Sequence, residues 1–451
     1  MNIFRTSILT GLMLHSVLAF SSNDPFNAYI IQIPTPTQDT RIDIAIKDNI
    51  DLIGWPTSAG SLAMLDNIPT ENAFIVSKLQ AANYRISGKT NLSEWANFRS
   101  EKSISGWSSV GGQTLNPYGE NLNPCGSSSG SAVAVASGLV DIAIGTETNG
   151  SISCPASVNG IVGFKPTVGL LSRHGIVPIS STQDTAGPMG KSVEIVAEAL
   201  EAMAGPDEND LTTLKAPQNF SYSFLQELKN GGIQGKRLGL LKAGSDYEDA
   251  AKLIQRISRL INQLGGTVVE IDDQREYPSD AEYFLLLYEF KQGLENYLAK
   301  SSSKFKTIES LIQFNKKYSD KTMPFFQQEI FEKSLQTTGK EEEYQRALKM
   351  VDQVRLEFNN LLLKYELDGF IGLTRNPAWA IDYAGGDNTA MANQISFGNG
   401  AYAAIAGYPH LTIPLASIEG LPVGISVIGP AWSDAMIMQI GYTLEANKEK
   451  F

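Results

Sequence analysis

Asn123 to Pro155 reads NPCGSSSGSAVAVASGLVDIAIGTETNGSISCP. Two Gly/Ser-rich loops flank a run of small residues, Ser131–Ser137, with the composition of a buried helix chosen for close packing, and a short apolar stretch that reads as a strand. The loops carry two candidate serines, Ser127 and Ser151, 151 − 127 = 24 residues apart. Upstream, Ile42-Asp43-Ile44-Ala45-Ile46 alternates as a strand and runs straight into Lys47, 127 − 47 = 80 residues before the first serine. Lys47, Ser127 and Ser151 form the candidate catalytic set.

Beyond this segment the chain alternates two periodicities. Strands are expected at 236–241, 267–271, 369–373, 410–414 and 423–429, and amphipathic helices at 246–263, 281–299, 342–365 and 434–445. Strands separated by helices predict an α/β fold, a large sheet covered by helices on both faces. The stretch from about 278 to 366 is almost entirely charged helical pattern, which predicts a helical excursion within a single domain spanning 22–451.

The 451 residues carry 36 basic and 48 acidic side chains, a net charge of −12, which argues against nucleic acid as a partner. No internal run is long and apolar enough to span a bilayer, so the mature chain is expected to be free of the membrane. At the N-terminus, Arg5 precedes the apolar run Ile8–Phe20, with small residues at Ala19, Ser21 and Ser22. That layout predicts a signal peptide over 1–21 and export to a periplasm or the medium, where disulfides persist. The two cysteines, Cys125 and Cys154, each lie within three residues of a candidate serine. A disulfide and two free thiols packed as small hydrophobes both fit this placement.

Three chemistries fit poorly. The histidines, His15, His174 and His410, form no cluster with other ligand types, so no metal site is expected. Gly126-Ser127-Ser128-Ser129-Gly130 matches the nucleophile elbow G-x-S-x-G, with Ser128 as nucleophile and His174 or His410 as base. An elbow needs an apolar strand before it, and residues 116–124 hold two prolines and no such strand. Ser301-Ser302-Ser303-Lys304 matches S-x-x-K but lies in a polar run without a K-T-G partner. A fourth chemistry pairs a serine with a lysine base, which works only if desolvation or neighbours lower the amine from about 10.4. Lys47, at the end of an apolar strand, shows that setting, although an exposed lysine beside Asp48 is the other reading of the same residues.

Lys47 in AIKDNI, the loop CGSSSGSA and the loop GTETNGSISCPA resemble successive blocks of the amidase signature family. Gly88–Glu94 (GKTNLSE), Gly163–Gly169 (GFKPTVG), Thr185–Pro188 (TAGP) and Gly420–Gly424 (GLPVG) extend the resemblance across nearly the whole chain in the family's order. Most members carry GGS-I-R at the second loop, where this chain has Asn149-Gly150-Ser151-Ile152-Ser153. With Gly106-Trp107, Gly111–Thr114 and Gly407–His410, the pattern is similar to the bacterial peptide amidases, which remove the C-terminal amide of peptides.

The resemblance implies the amidase signature fold and amide hydrolysis without a cofactor. By motif, Ser151 becomes the nucleophile, Ser127 a bridging serine after a cis peptide bond, and Lys47 the base. The backbone N–H groups of Thr148, Asn149, Gly150 and Ser151 become the oxyanion hole, with Asn149 a side chain suited to positive φ. Ser128 and Ser129 either hold the loop through hydrogen bonds or are ordinary turn serines. Trp379, Asp382 and Tyr383, before a glycine pair, are candidates to line the substrate pocket, with packing as the other role. His174 and His410 are expected to be structural. The expected protein is a monomer acting on a peptide or small-molecule amide; an aliphatic or aromatic amide hydrolase and a non-catalytic binding scaffold are the alternatives.

Overall fold

The computed structural model describes residues 24–392 and 397–451, so the leader expected at 1–21 lies outside the described residues. Its strands, in chain order, are β1 (Tyr29–Gln32), β2 (Ile42–Lys47), β3 (Tyr84–Thr90), β4 (Trp107–Ser108), β5 (Gly112–Gln113), β6 (Ile142–Glu147), β7 (Val162–Lys165), β8 (Thr185–Gly190), β9 (Arg237–Leu240), β10 (Thr267–Glu270), β11 (Gly369–Leu373), β12 (His410–Ile418) and β13 (Leu421–Ile428). β4 and β5 form a small ribbon; the other 11 make one sheet in the order β1-β3-β2-β6-β8-β7-β12-β13-β11-β9-β10. Pairing is parallel for β3-β2-β6 and for β11-β9-β10, and antiparallel from β6 through β8, β7, β12 and β13 to β11. The expected α/β fold with a large mixed sheet is the observed one.

The strands expected in the second half are β9 to β13. β12 continues to Ile418, beyond the expected end at 414, because Glu419 and Gly420 both adopt positive φ (51° and 80°) and close a two-residue hairpin onto Leu421. A turn with both central residues left-handed matches the twist of the paired strands, so the ladder runs to its edge.

One alternation positions the site. In β2 and β6, Ile44, Ile46, Ile142 and Ile144 pack into the core that includes the helices Phe74–Ala81 and Val193–Met203. Ala45 and Ala143 face the other way, against the helix Ser129–Ala136. Successive strand residues point to opposite faces, so bulk on one face and smallness on the other follow from sequence order alone. Small side chains let the helix backbone come close; a Cβ on Gly145 would stand 2.7 Å from Ser128 Oγ. The same parity sends Lys47 to the alanine face, toward the loop at the start of that helix.

Helices fill most of 279–365: Ser279–Lys300, Ile308–Lys317, Ser319–Thr322, Glu329–Leu335 and Glu341–Tyr365. Leu285, Phe290, Leu294, Leu311, Phe331 and Val351 build a core there that also takes in Met64, Trp95 and Phe98 from the loops after β2 and β3. Trp95 meets Phe331 edge-on at 5.5 Å and Phe98 meets Phe290 at 5.1 Å. The helical block therefore rests on the chain segments that lead out of the two strands beside Lys47.

Candidate active site

Lys47 is fully buried, and its Nζ lies 2.7 Å from Ser127 Oγ and donates to Ser128 Oγ (3.0 Å) and Thr146 Oγ1 (2.9 Å), with a longer contact to the Thr146 carbonyl (3.3 Å). Burial pushes its ammonium down to about 7, against the pull of Asp184 and Glu147, which favour the charged form. The exposed-lysine reading is thereby corrected. Lys89 and Lys165 are equally buried, so burial alone does not single out Lys47. Lys89 instead pairs with Asp48 (3.2 Å) and Lys165 donates to the Pro166 carbonyl (3.1 Å). Among the described residues only Lys47 of these three touches a serine of the two loops.

Hydrogen-bond capacity sorts the neighbours of Nζ. Ser128 Oγ spends its own proton on the Thr146 carbonyl (3.0 Å) and accepts from the Thr146 N–H (3.1 Å), which leaves it an acceptor toward lysine. Thr146 Oγ1 also accepts from Asn49 Nδ2 (3.0 Å). A neutral amine has two N–H groups and one lone pair; with the protons committed to Ser128 and Thr146, the lone pair is left for the hydroxyl of Ser127. Ser128 thus anchors the lysine, and as a hydroxyl already engaged on three sides it is a poor nucleophile. Ser129 Oγ donates to the Cys125 carbonyl (2.6 Å), so both serines hold the loop.

The peptide bond Gly126-Ser127 is cis, as the family pattern implied. Ser151 lies in the facing loop, 8% exposed, and the Ser128 N–H donates to its carbonyl (3.2 Å). The Ser151 hydroxyl makes no hydrogen bond to the described residues. In the same loop the positive φ belongs to Gly150 (84°) and not to Asn149, which corrects the expectation for Asn149. Glycine carries this conformation at no steric cost, so the asparagine beside it is free to do something else.

Two carboxylates missed in the sequence secure this loop. Glu147 Oε2 accepts from the N–H groups of Ile152 (2.7 Å) and Ser153 (2.9 Å), fixing the turn that contains Ser151. Asp184 accepts from Thr148 Oγ1 (2.6 Å) and from the N–H groups of Ile179 and Ser180, and burial raises it to about 6. Glu147 sits inside the opening segment and Asp184 directly precedes the TAGP block, but a carboxylate in a loop gives no sign of which N–H groups it will meet.

The amidase family profile matches residues 42–438. A probable amidase of Arabidopsis thaliana is 34% identical over 409 residues, covering 89% of this chain and 74% of that protein. The native peptide amidase of Stenotrophomonas maltophilia superposes with a TM-score of 0.88 at 39% identity, over 94% of this chain and 89% of that one. A glutamyl-tRNA(Gln) amidotransferase component of Thermotoga maritima is further away, with a TM-score of 0.73 at 27% identity over 94% and 88%. The chain belongs to the amidase signature family. It is an amide hydrolase.

In this amidase two cavities border the cis-peptide loop. One, of about 240 Å³, is lined by Ser127, Thr146, Thr148 and Asp184 and reaches Arg173 and His174. The other, of about 370 Å³, is lined by Gly126, Asn149 and Gly150 and by Arg375, Trp379 and Asp387. Of the three candidate pocket residues, Trp379 lines the second cavity. Asp382 accepts from the N–H groups of Ala384 and Gly385 and serves the turn there, while Tyr383 packs its ring at a tilt against Phe325 (4.9 Å); neither lines this cavity. Arg375 had no signal in the sequence; it stacks over Trp379 at 5.1 Å and brings a cationic donor next to the serine loops. His410 is buried among strands, bonded to Ser426 Oγ (2.7 Å) and pushed down to about 4 by burial, while His174 stands near Glu71 and Asp207.

Cys125 and Cys154 are joined in a disulfide, with Cα atoms 6.0 Å apart, which settles the question their sequence placement left open. The bond ties the Ser127 loop to the Ser151 loop and closes 29 residues. Loop-closure entropy for that length predicts that Cys125→Ala/Cys154→Ala loses about 3–4 kcal/mol of stability. Urea denaturation of both proteins measures the difference; equal midpoints would show that the clasp contributes nothing.

Proposed function

We propose that this amidase releases ammonia from the C-terminal primary amide of peptides, with Ser151 as nucleophile, Ser127 as proton bridge and Lys47 as base. The observation that carries the reading is the buried Nζ of Lys47, 2.7 Å from Ser127 Oγ and held near 7. As Ser151 Oγ attacks the amide carbonyl, its proton passes to Ser127 Oγ, whose own proton passes to the neutral Nζ. The oxygen of the tetrahedral intermediate gains negative charge facing the N–H groups of Thr148 to Ser151. Preorganised donors at that position stabilise the transition state by about 3–4 kcal/mol each. Within the described residues the N–H groups of Asn149, Gly150 and Ser151 donate to no protein acceptor, which leaves them available.

The proton then returns through Ser127 to the amide nitrogen, the C–N bond breaks, and ammonia leaves. Water attacks the ester on Ser151 by the same relay, which regenerates the hydroxyl and frees the carboxylic acid. The likeness to a peptide amidase and the mixed polar and aromatic lining of the larger cavity, with Trp379 and Arg375 beside Gly150, favour a peptide acyl group over a small amide. Ammonia release from an N-acetylated dipeptide amide is expected to exceed that from benzamide at least 100-fold in kcat/KM. Equal values would move the substrate class to simple aromatic amides, and no ammonia from either would leave a binding scaffold.

We further propose that the protein is exported. The disulfide between the two serine loops favours an oxidising compartment, in line with the arginine and apolar run at its N-terminus. N-terminal sequencing of protein recovered from the periplasm or the medium is expected to start at Phe20 or Ser22; protein found only in the cytosol and starting at Met1 overturns this.

A further inference from the structure

Glu282 is a buried carboxylate on the helix Ser279–Lys300, remote in sequence from both serine loops. Its Oε1 accepts from Asn149 Nδ2 (2.8 Å) and from Gln183 Nε2 (2.9 Å), and its Oε2 accepts from the Tyr277 hydroxyl (2.5 Å). Asn149 Nδ2 also donates to Tyr277 Oη (2.7 Å), and Gln183 Nε2 to the Thr148 carbonyl (3.3 Å). The carboxylate therefore holds the loop directly at Asn149 and, through Gln183, at the Thr148 carbonyl, just before the glycine that carries the positive φ. Two turns further along the same helix, Glu289 accepts from Ser180 Oγ (2.5 Å) and Thr182 Oγ1 (2.5 Å). That second grip holds the segment whose Asp184 is bonded to Thr148 Oγ1.

A charged acceptor with three good donors makes stronger and shorter bonds than a neutral one, and burial raises what is lost when a partner is removed. N–H groups that stabilise an oxyanion are useful only when held within a fraction of an ångström of where charge develops. The loop contains Gly150, and Glu147 fixes its far side through the N–H groups of Ile152 and Ser153. Its near side, Thr148 and Asn149, is held by side chains from elsewhere in the chain, Asp184 and Glu282.

We propose that Glu282 is a positioning residue for the oxyanion hole, acting through the side chain of Asn149. This rests on the reading of Thr148–Ser151 as that hole. The helical block is then part of the catalytic machinery by way of one carboxylate, and Asn149 contributes its amide as a tether.

The test is steady-state hydrolysis of one N-acetylated dipeptide amide by the full chain. Glu282→Ala is expected to lower kcat about 10- to 100-fold with KM unchanged within about 2-fold. Glu282→Gln is expected to stay within about 3-fold of the parent, because its carbonyl can still accept from Asn149 and Gln183 while its amide donates to Tyr277. Asn149→Ala is expected to lower kcat about 3- to 30-fold, and Glu282→Ala/Asn149→Ala to fall no further than Glu282→Ala alone, since both cut one tether. Overturning results are a kcat for Glu282→Ala within 2-fold of the parent, losses that multiply in the double variant, or a raised KM with kcat kept. Should Glu282→Ala not fold, Asn149→Ala decides: an unchanged kcat overturns the proposal. Ser151→Ala run alongside separates the two levels, because activity surviving there removes the hole itself, whereas activity lost there and kept in Glu282→Ala removes only the role of Glu282.

Discussion

Ser151→Ala is expected to lower kcat for amide hydrolysis by about 10⁵- to 10⁶-fold while leaving the protein folded. The hydroxyl is the bond-forming group in the proposed reaction, and no neighbour substitutes for it. Ser127 Oγ is committed to Lys47, and Ser128 Oγ is engaged with Lys47 and both backbone groups of Thr146. Stability should hardly change, because the Ser151 hydroxyl has no hydrogen bond to the described residues and removing it orphans no partner. Ammonia release and a thermal melt on the same preparation check both halves. A variant that keeps a hundredth of the parental rate would place the nucleophile elsewhere.

Lys47→Met is expected to cost about 10²- to 10⁴-fold in kcat, the usual worth of a positioned general base. Here activity should fall without a matching fall in stability. A buried amine that is pushed toward its neutral form by desolvation is an unfavourable group for the core, and methionine fills nearly the same volume without it. Methionine also leaves the buried Ser127 hydroxyl without its partner, so the two effects offset and the melting temperature is expected to change little as turnover disappears. Lys47→Arg should not rescue, since a guanidinium does not give up its proton.

The pH dependence follows from the same group. The protonated amine cannot accept from Ser127, so kcat/KM of the parent is expected to rise as pH passes upward through about 7, where Lys47 loses its proton. Asp184, raised to about 6 by burial, stays charged above that and supports Thr148. A flat profile between pH 6 and 9 would remove lysine from the base role.

The sheet and the site were legible in the sequence to different degrees, for physical reasons. Periodicity placed β9 to β13 because strand residues facing a core must be apolar, a constraint local enough to read directly. The set Lys47, Ser127 and Ser151 could be named because motif spacing preserves which loops meet, and the parity of β2 explains why Lys47 turns toward them. The holding groups were not legible. Glu282 acts through Asn149, 133 residues away, and Asp184 through Thr148, 36 residues away, while Glu147 turns back onto N–H groups only 5 and 6 residues on. Neither composition nor periodicity marks which carboxylate will turn back onto a loop's N–H groups or reach across the fold to a side-chain amide. Tyr383 and Asp382 show the opposite error: nearness to Trp379 in sequence does not put a side chain in the cavity that Trp379 lines.

The contrast between isoleucine and alanine faces in β2 and β6 has a practical side for anyone wishing to make this enzyme hardier. Beneath the isoleucines, swaps among bulky aliphatics disturb only helices that carry no chemistry, and the interior there can be redrawn with some freedom. Beneath Ala45 and Ala143, one extra methyl would lift the helix whose first turn follows the Ser127 loop, and overfilled interiors relieve such pressure by shifting backbone. Engineering tolerance in this molecule is thus set by which side of a single layer is touched, and far less by how many ångströms separate the change from the reacting atoms.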